Sequence, residues 1–239
     1  MILDPVPTVL VCGMGSHARS VLLYMDHYAV RTIYIVRSKY NTAEFEAIAD
    51  RLFREIRDAR RSVDHPVVVN DMQIDERDFI QSFEIIARIY DQEKHAQIIT
   101  DITAGHKIIS TMLLYAHAMS RHKFQHDDKL VYLYENAEVP VDLPSIDVAV
   151  PSSTVIGFLR DVDHYHSRSF NLIKRDEERQ QEWIRPMKLT CYLNEGKTIT
   201  GSHYSNVDIH RLKKKSIKTG LLDSSSHVTL KGKMWLMIA

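Results

Sequence analysis

Cysteine is almost missing from this chain of 239 residues: Cys12 and Cys191 lie far apart in sequence. That leaves no disulfide framework and no thiolate zinc spacing, and a reducing, cytoplasmic setting is expected. Long apolar runs are missing as well. The longest uncharged apolar-leaning run, 108–120, falls short of the roughly 20 residues that span a bilayer, and the opening MILDPVPT has no basic segment of a signal peptide. A soluble protein without a membrane partner is expected. Internal repeats, low-complexity tracts, a nucleophilic triad and an acid–base pair suited to hydride chemistry are all lacking. Thirteen histidines are present, some in DVDHYH and RHKFQHDD, but they offer no ligand set at a known metal spacing.

A net charge of one sign is lacking too, since 31 Lys and Arg balance 31 Asp and Glu. The balance hides a segregation. From Trp183 to Ala239 basic residues outnumber acidic ones ten to three, so the rest of the chain carries an equal negative excess. A basic terminal module on an acidic body suits a chain of which one part meets a polyanion, although a lysine face also serves solvation alone.

What the first part does contain is alternation. The runs TVLVC (8–12), IYIV (33–36), VVV (67–69), QIIT (97–100) and LVYLY (130–134) read as strands, with IDVAV (146–150) as a sixth. Between them lie amphipathic helical stripes, one of them expected to be capped by Asp75. The predicted fold class is α/β: a Rossmann-like, doubly wound, mostly parallel sheet over 1–150. A polar connecting segment follows at 151–182. From 183 to 239 the order is helix, helix, two strand-like pieces (LLDSSSHVTL) and a helix, which is the order of a winged helix-turn-helix.

Two glycine turns interrupt the alternation, GMGS after the first strand and DITAGHK after the fourth. Both are expected at the carboxyl edge of the sheet, where ligands of such folds bind. Gly13, Gly15 and Gly105 let backbone amides approach an anion, each turn opens a helix, Ser16 and Thr103 add hydroxyls, and Lys107 adds a charge. That is a phosphate cradle, although glycine in such turns also serves geometry alone. GMGSHA fits the dinucleotide fingerprint G-x-G-x-x-A as well, with Arg37 placed for a 2′-phosphate, so an NADP-binding oxidoreductase is an alternative. In the terminal module, Ile209, Leu212 and Ile217 are expected to face inward. Asn206, His210, Arg211, Lys213, Lys214 and Lys215 would then face a DNA groove, with His227 at a wing tip. A protein-interaction adaptor remains a third class.

The stretch Asp101-Ile-Thr103-Ala104-Gly105-His106-Lys107 resembles the D-x-[ST]-x-G-x-K type motif of CARF domains, the CRISPR-associated Rossmann-fold sensors. With its terminal module the chain looks like the archaeal CRISPR-associated transcriptional regulators. It departs at Ala104, where members often have a second glycine, and at His106, where they have a small hydroxyl residue. The resemblance implies antiviral defence and a homodimer that binds one cyclic oligoadenylate, cyclic tetra-adenylate as first choice, between its two sheets. Asp101 to Lys107 would supply one wall, and Gly13, Met14, Gly15 and Ser16 the floor. No cofactor is implied. It further implies regulation of transcription through double-stranded DNA, and, as a lesser alternative, slow ring nuclease cleavage aided by His106 and Lys107.

Overall fold

The computed structural model describes residues 6–15, 18–40, 42–59, 67–121, 128–144, 148, 150–179, 189–194 and 198–238, the side chains of 44, 168–179 and 191 excepted. The chain divides into two compact units, Met1–Ala149 and Val150–Met237.

In the first unit strands and helices alternate: β1 (Thr8–Gly13), α1 (Arg19–Tyr28), β2 (Thr32–Ser38), α2 (Ala43–Ala59), β3 (Val68–Ile74), α3 (Phe79–Gln92), β4 (Gln97–Asp101), α4 (Lys107–Ser120) and β5 (Lys129–Tyr132), followed by β6 (Val141–Asp142). The sheet order is β3-β2-β1-β4-β5-β6, parallel except for β6 against β5. This is the doubly wound order, with its switch point between β1 and β4. The α/β expectation therefore holds, with one correction. The sixth strand is Val141–Asp142, antiparallel at the edge, while Val148 and Val150 of the IDVAV run lie in no strand and its other residues lie outside the described set.

Alternation along each strand splits the core into two layers. Leu10, Cys12, Ile33, Ile35, Ile99 and Val131 pack with Val21, Tyr24, Leu52 and Ile56 of α1 and α2. Thr100, one residue along from Ile99, points the other way: its hydroxyl meets Tyr90 of α3 at 2.8 Å and His117 of α4 at 3.0 Å. Edge strand β3 runs on through polar residues to Ile74, since one side of it needs no burial. The cap of α3 is Asp78, which accepts from Gln81 N at 3.0 Å; Asp75, expected in that role, instead accepts from Arg77 N in the turn before.

The second unit holds α5 (Ser153–Arg179), α6 (Leu189–Asn194), α7 (Asn206–Lys218) and α8 (Leu230–Ile238). The polar stretch, expected as a connecting helix or linker, is largely the helix α5. Asp161 of α5 is wholly buried and anchors the loop before α7, accepting from Thr200 N, Thr200 Oγ1 and Tyr204 Oη at 2.7–3.0 Å. Between α7 and α8 the two expected strand pieces reduce to one antiparallel bridge, Leu222 with Val228. The inward face of α7 is Ile209, Leu212 and Ser216, whereas Ile217 is 37% exposed. At 100° per residue Ser216 falls back over Ile209 and Ile217 swings past it. Among the described residues no helix is long and apolar enough to cross a membrane.

Candidate functional site

The ends of β1 and β4 bring the two glycine turns into contact. A Cβ on Gly13 would sit 2.5 Å from the carbonyl oxygen of Ala104, and one on Gly105 would sit 3.0 Å from Gly13 Cα. Gly105 also has φ +97°, which side chains avoid. Glycine here therefore first serves the packing of one loop on the other.

The turn after β4 is built from within. Asp101 is wholly buried: its Oδ1 accepts from Thr103 N at 2.7 Å and from Tyr24 Oη at 3.0 Å, while Oδ2 has no partner among the described residues. Burial raises its pKa against the opposing effect of those bonds. Thr103 Oγ1 accepts from Leu133 N at 2.7 Å and lies 3.2 Å from Tyr24 Oη. Expected as ligand contacts, Asp101 and Thr103 are engaged in holding the loop; Asp101 offers nothing to the outside in this conformation. Met14 is buried too, with its amide on Val36 O.

Outside this frame stand Gly105, His106 and Lys107, all exposed, with Gly15 and Ala104 half-exposed. His106 is the N-cap of α4, and Lys107 and Ile108, the first two amides of that helix, donate to no acceptor among the described residues. Such free amides carry the positive end of the helix dipole. Lys107 pairs with no carboxylate among the described residues. Ser16 lies outside the described residues.

The cleft beside them encloses about 450 Å³ and is lined from four loops: Gly15 after β1, Tyr40 and Phe45 after β2, Glu76 after β3, and Gly105 and His106 after β4. Phe45 reads in the sequence as part of the apolar stripe of the second helix, yet it is 42% exposed; Tyr40 and Glu76 share no motif with it or with each other. A larger opening of about 950 Å³ lies across Thr103 and Ala104, but Asp26, Glu55, Glu135 and Glu138 ring it. Its Arg19 is turned onto the carbonyls of Glu135 and Ala137. That rim repels a polyphosphate, so the smaller cleft is the better anion site.

Arg37 lines the cleft but is not available to it. Nε and Nη2 bind both oxygens of Asp71 at 2.7 Å, and Nη1 binds both oxygens of Glu46 at 2.7 and 2.8 Å. The two carboxylates, Asp71 foremost, push the guanidinium pKa up further. Two carboxylates already compensate this guanidinium and take most of its donors, which counts against the 2′-phosphate role that the NADP alternative gave it.

A family model described as the Csa3 CRISPR-associated Rossmann-like domain matches residues 32–160. The chain belongs to this Csa3 family. Within the family fold, the matched residues run from β2 into α5 and include β4, its turn and α4. No curated protein sequence matches the chain. Among solved structures, Can2 from Sulfobacillus thermosulfidooxidans in complex with cyclic tetra-adenylate is similar at 14% identity and TM-score 0.44, covering 97% of this chain and 63% of that one. Enterococcus italicus Csm6 bound to cyclic hexa-2′-fluoro-hexa-dAMP is similar at 11% identity and TM-score 0.45, covering 92% and 57%. A type III CRISPR defence DNA nuclease activated by cyclic oligoadenylate is similar at 12% identity and TM-score 0.43, covering 82% and 34%. The chain thus spans less than two thirds of the length of each of these.

In the second unit α7 presents His210, Arg211, Lys214 and Lys215 to solvent, with Lys213 half-buried. Arg211 is drawn onto Asp208 at 2.9 Å, and Asn206 accepts from Asn194 at 2.8 Å. His227 is exposed, its ring 4.2 Å from that of His166.

Proposed function

We propose that this CRISPR-associated chain is a ligand-responsive regulator. Two copies hold a cyclic oligoadenylate between their first units, and the terminal units, acting as winged helices, hold double-stranded DNA. Domains at 1–150, 151–182 and 183–239 belong to this reading, as does a cytoplasmic setting. The observation that carries it is the cradle at the switch point: two loops locked glycine to glycine beneath a helix whose first amides and Lys107 have no partner among the described residues. That arrangement suits an anion held by backbone and one cation. Cyclic oligoadenylates, the ligand class of the Can2 and Csm6 structures, carry a ring of such phosphates. A twofold-symmetric ring matches a twofold pair of cradles, so each contact is used twice. The basic outward face of α7 supports the DNA half of the reading.

In this reading the ligand changes DNA affinity only through its differential affinity for two arrangements of the dimer. The test is calorimetry of the full chain with cyclic tetra-adenylate and separately with NADPH. Binding of the cyclic nucleotide alone, weakened about tenfold or more by Lys107→Ala with an unchanged melting temperature, is the expected result. Heat from NADPH, or equal affinity in the variant, overturns it.

A further inference from the structure

The cleft next to the cradle has features that phosphate binding does not use. Tyr40 and Phe45 are 41% and 42% exposed at its mouth. Tyr40 is fixed in place: its hydroxyl donates to Asp75 Oδ2 at 2.9 Å, and the guanidinium carbon of Arg77 lies 3.9 Å from the ring centre. Together with Lys39 Nζ, 5.1 Å from the same ring centre, Arg77 holds the ring rigid, and its exposed part lines the cleft. Asp75 is itself fixed by Lys39 at 2.6 Å. Phe45 is set by the first turn of α2, where Thr42 Oγ1 accepts its amide at 3.4 Å. Glu76 lines the same cleft, and its Oε2 is buried and receives no hydrogen bond from the described residues. A buried carboxylate oxygen without a donor is costly, so it marks a place where a donor is expected from elsewhere.

We infer that this cleft is a nucleobase subsite, in which an adenine stacks on Tyr40 and Phe45 and gives its exocyclic amine to Glu76. The inference rests on the proposed nucleotide reading of the cradle. Flat aromatic walls accept any base through its π face, so stacking supplies affinity without choice. The carboxylate supplies the choice, since it can only accept. Adenine presents an amine there, whereas hypoxanthine presents a carbonyl and sets two acceptors against each other. A site built around a polar group discriminates strongly against a partner that leaves it unpaired. The neighbouring amides of Lys107 and Ile108 would then receive the phosphate attached to the same nucleoside.

The test compares cyclic tetra-adenylate with the same ring carrying hypoxanthine, each titrated into the full chain. The unaltered protein is expected to bind the adenine ring at least about tenfold more tightly. Glu76→Gln, whose amide donates as well as accepts, should bring the two within about threefold, and Tyr40→Leu should weaken both alike. Equal binding of the two rings by the unaltered protein, which needs no variant to fold, overturns the subsite while leaving the cradle standing. Undiminished discrimination in a folded Glu76→Gln does the same. Failure of either ring to bind the unaltered protein overturns the cradle and the subsite together.

Discussion

At Gly13 even a methyl group is too large, because the atom it would strike is a backbone oxygen that cannot rotate away. Gly13→Ala should cost about 1–3 kcal/mol, read as a lowered melting temperature, and should abolish nucleotide binding, since the Ala104 carbonyl must move. Gly105→Ala adds the strain of φ +97°. Because both variants pry the same contact, the double variant should lose less than the sum of the two, a result that independent sites would not give. His117 permits a second prediction. Its Nδ1 meets Thr100 in the core, and burial, helped by Arg121, brings its pKa down to about 4. The unfolded chain therefore takes up the proton first, and stability present above about 6.5 is lost as pH falls through 4, up to about 3 kcal/mol. His117→Leu should flatten denaturant midpoints over that window; an unchanged slope would place the titration elsewhere. Residue roles were the least legible part of the sequence. Arg37 stood where a cofactor charge would stand, yet its partners Glu46 and Asp71 are brought to it by α2 and by the register of β3 on β2, neither of which a motif records.

At the scale of elements the reading went further, because period is written along the chain. The five parallel strands and the four helices between them follow from apolar alternation and 3.6-residue stripes. The misses were short or shared between periods. Two residues of β6 carry no pattern, two aspartates three apart competed to cap α3, and one step of helix phase separates Ser216 from Ile217. Asp161 was hidden by its polar neighbourhood: a carboxylate in a charged stretch reads as solvated until the loop at Thr200 closes on it. Asp161→Ala takes the acceptor from Thr200 N and from the buried Tyr204 hydroxyl, whereas Thr200 Oγ1 keeps Ser202 Oγ as a partner at 2.9 Å. The substitution should destabilise the second unit by about 2–4 kcal/mol, seen as a lower melting transition, whereas Asp163→Ala on the half-exposed side of α5 should change little.

For the whole molecule the segregation of charge is the feature with consequences. The positive excess lies in the terminal stretch, and on α7 one of its cations is restrained: Arg211 is held by Asp208. On the regulator reading, Asp208→Asn should free that guanidinium and tighten duplex binding several-fold, while Lys214→Ala weakens it and lowers the slope of log affinity against log salt by about one. Gel retardation across a salt series reads both. Indifference of both variants would favour a protein partner for this face. Dimerisation belongs to this scale too, and sedimentation with and without cyclic tetra-adenylate reads it directly.

On the nucleotide reading, the bare contact between the first and fourth strand ends also divides the pocket into a keel and a rim. The keel has no side chains to exchange, so it cannot be retuned without being lost. The rim has Tyr40 and Phe45 after β2 and Glu76 after β3, and is open to revision one position at a time. Relatives of this chain that come to favour other rings would therefore differ around the lip and agree beneath it.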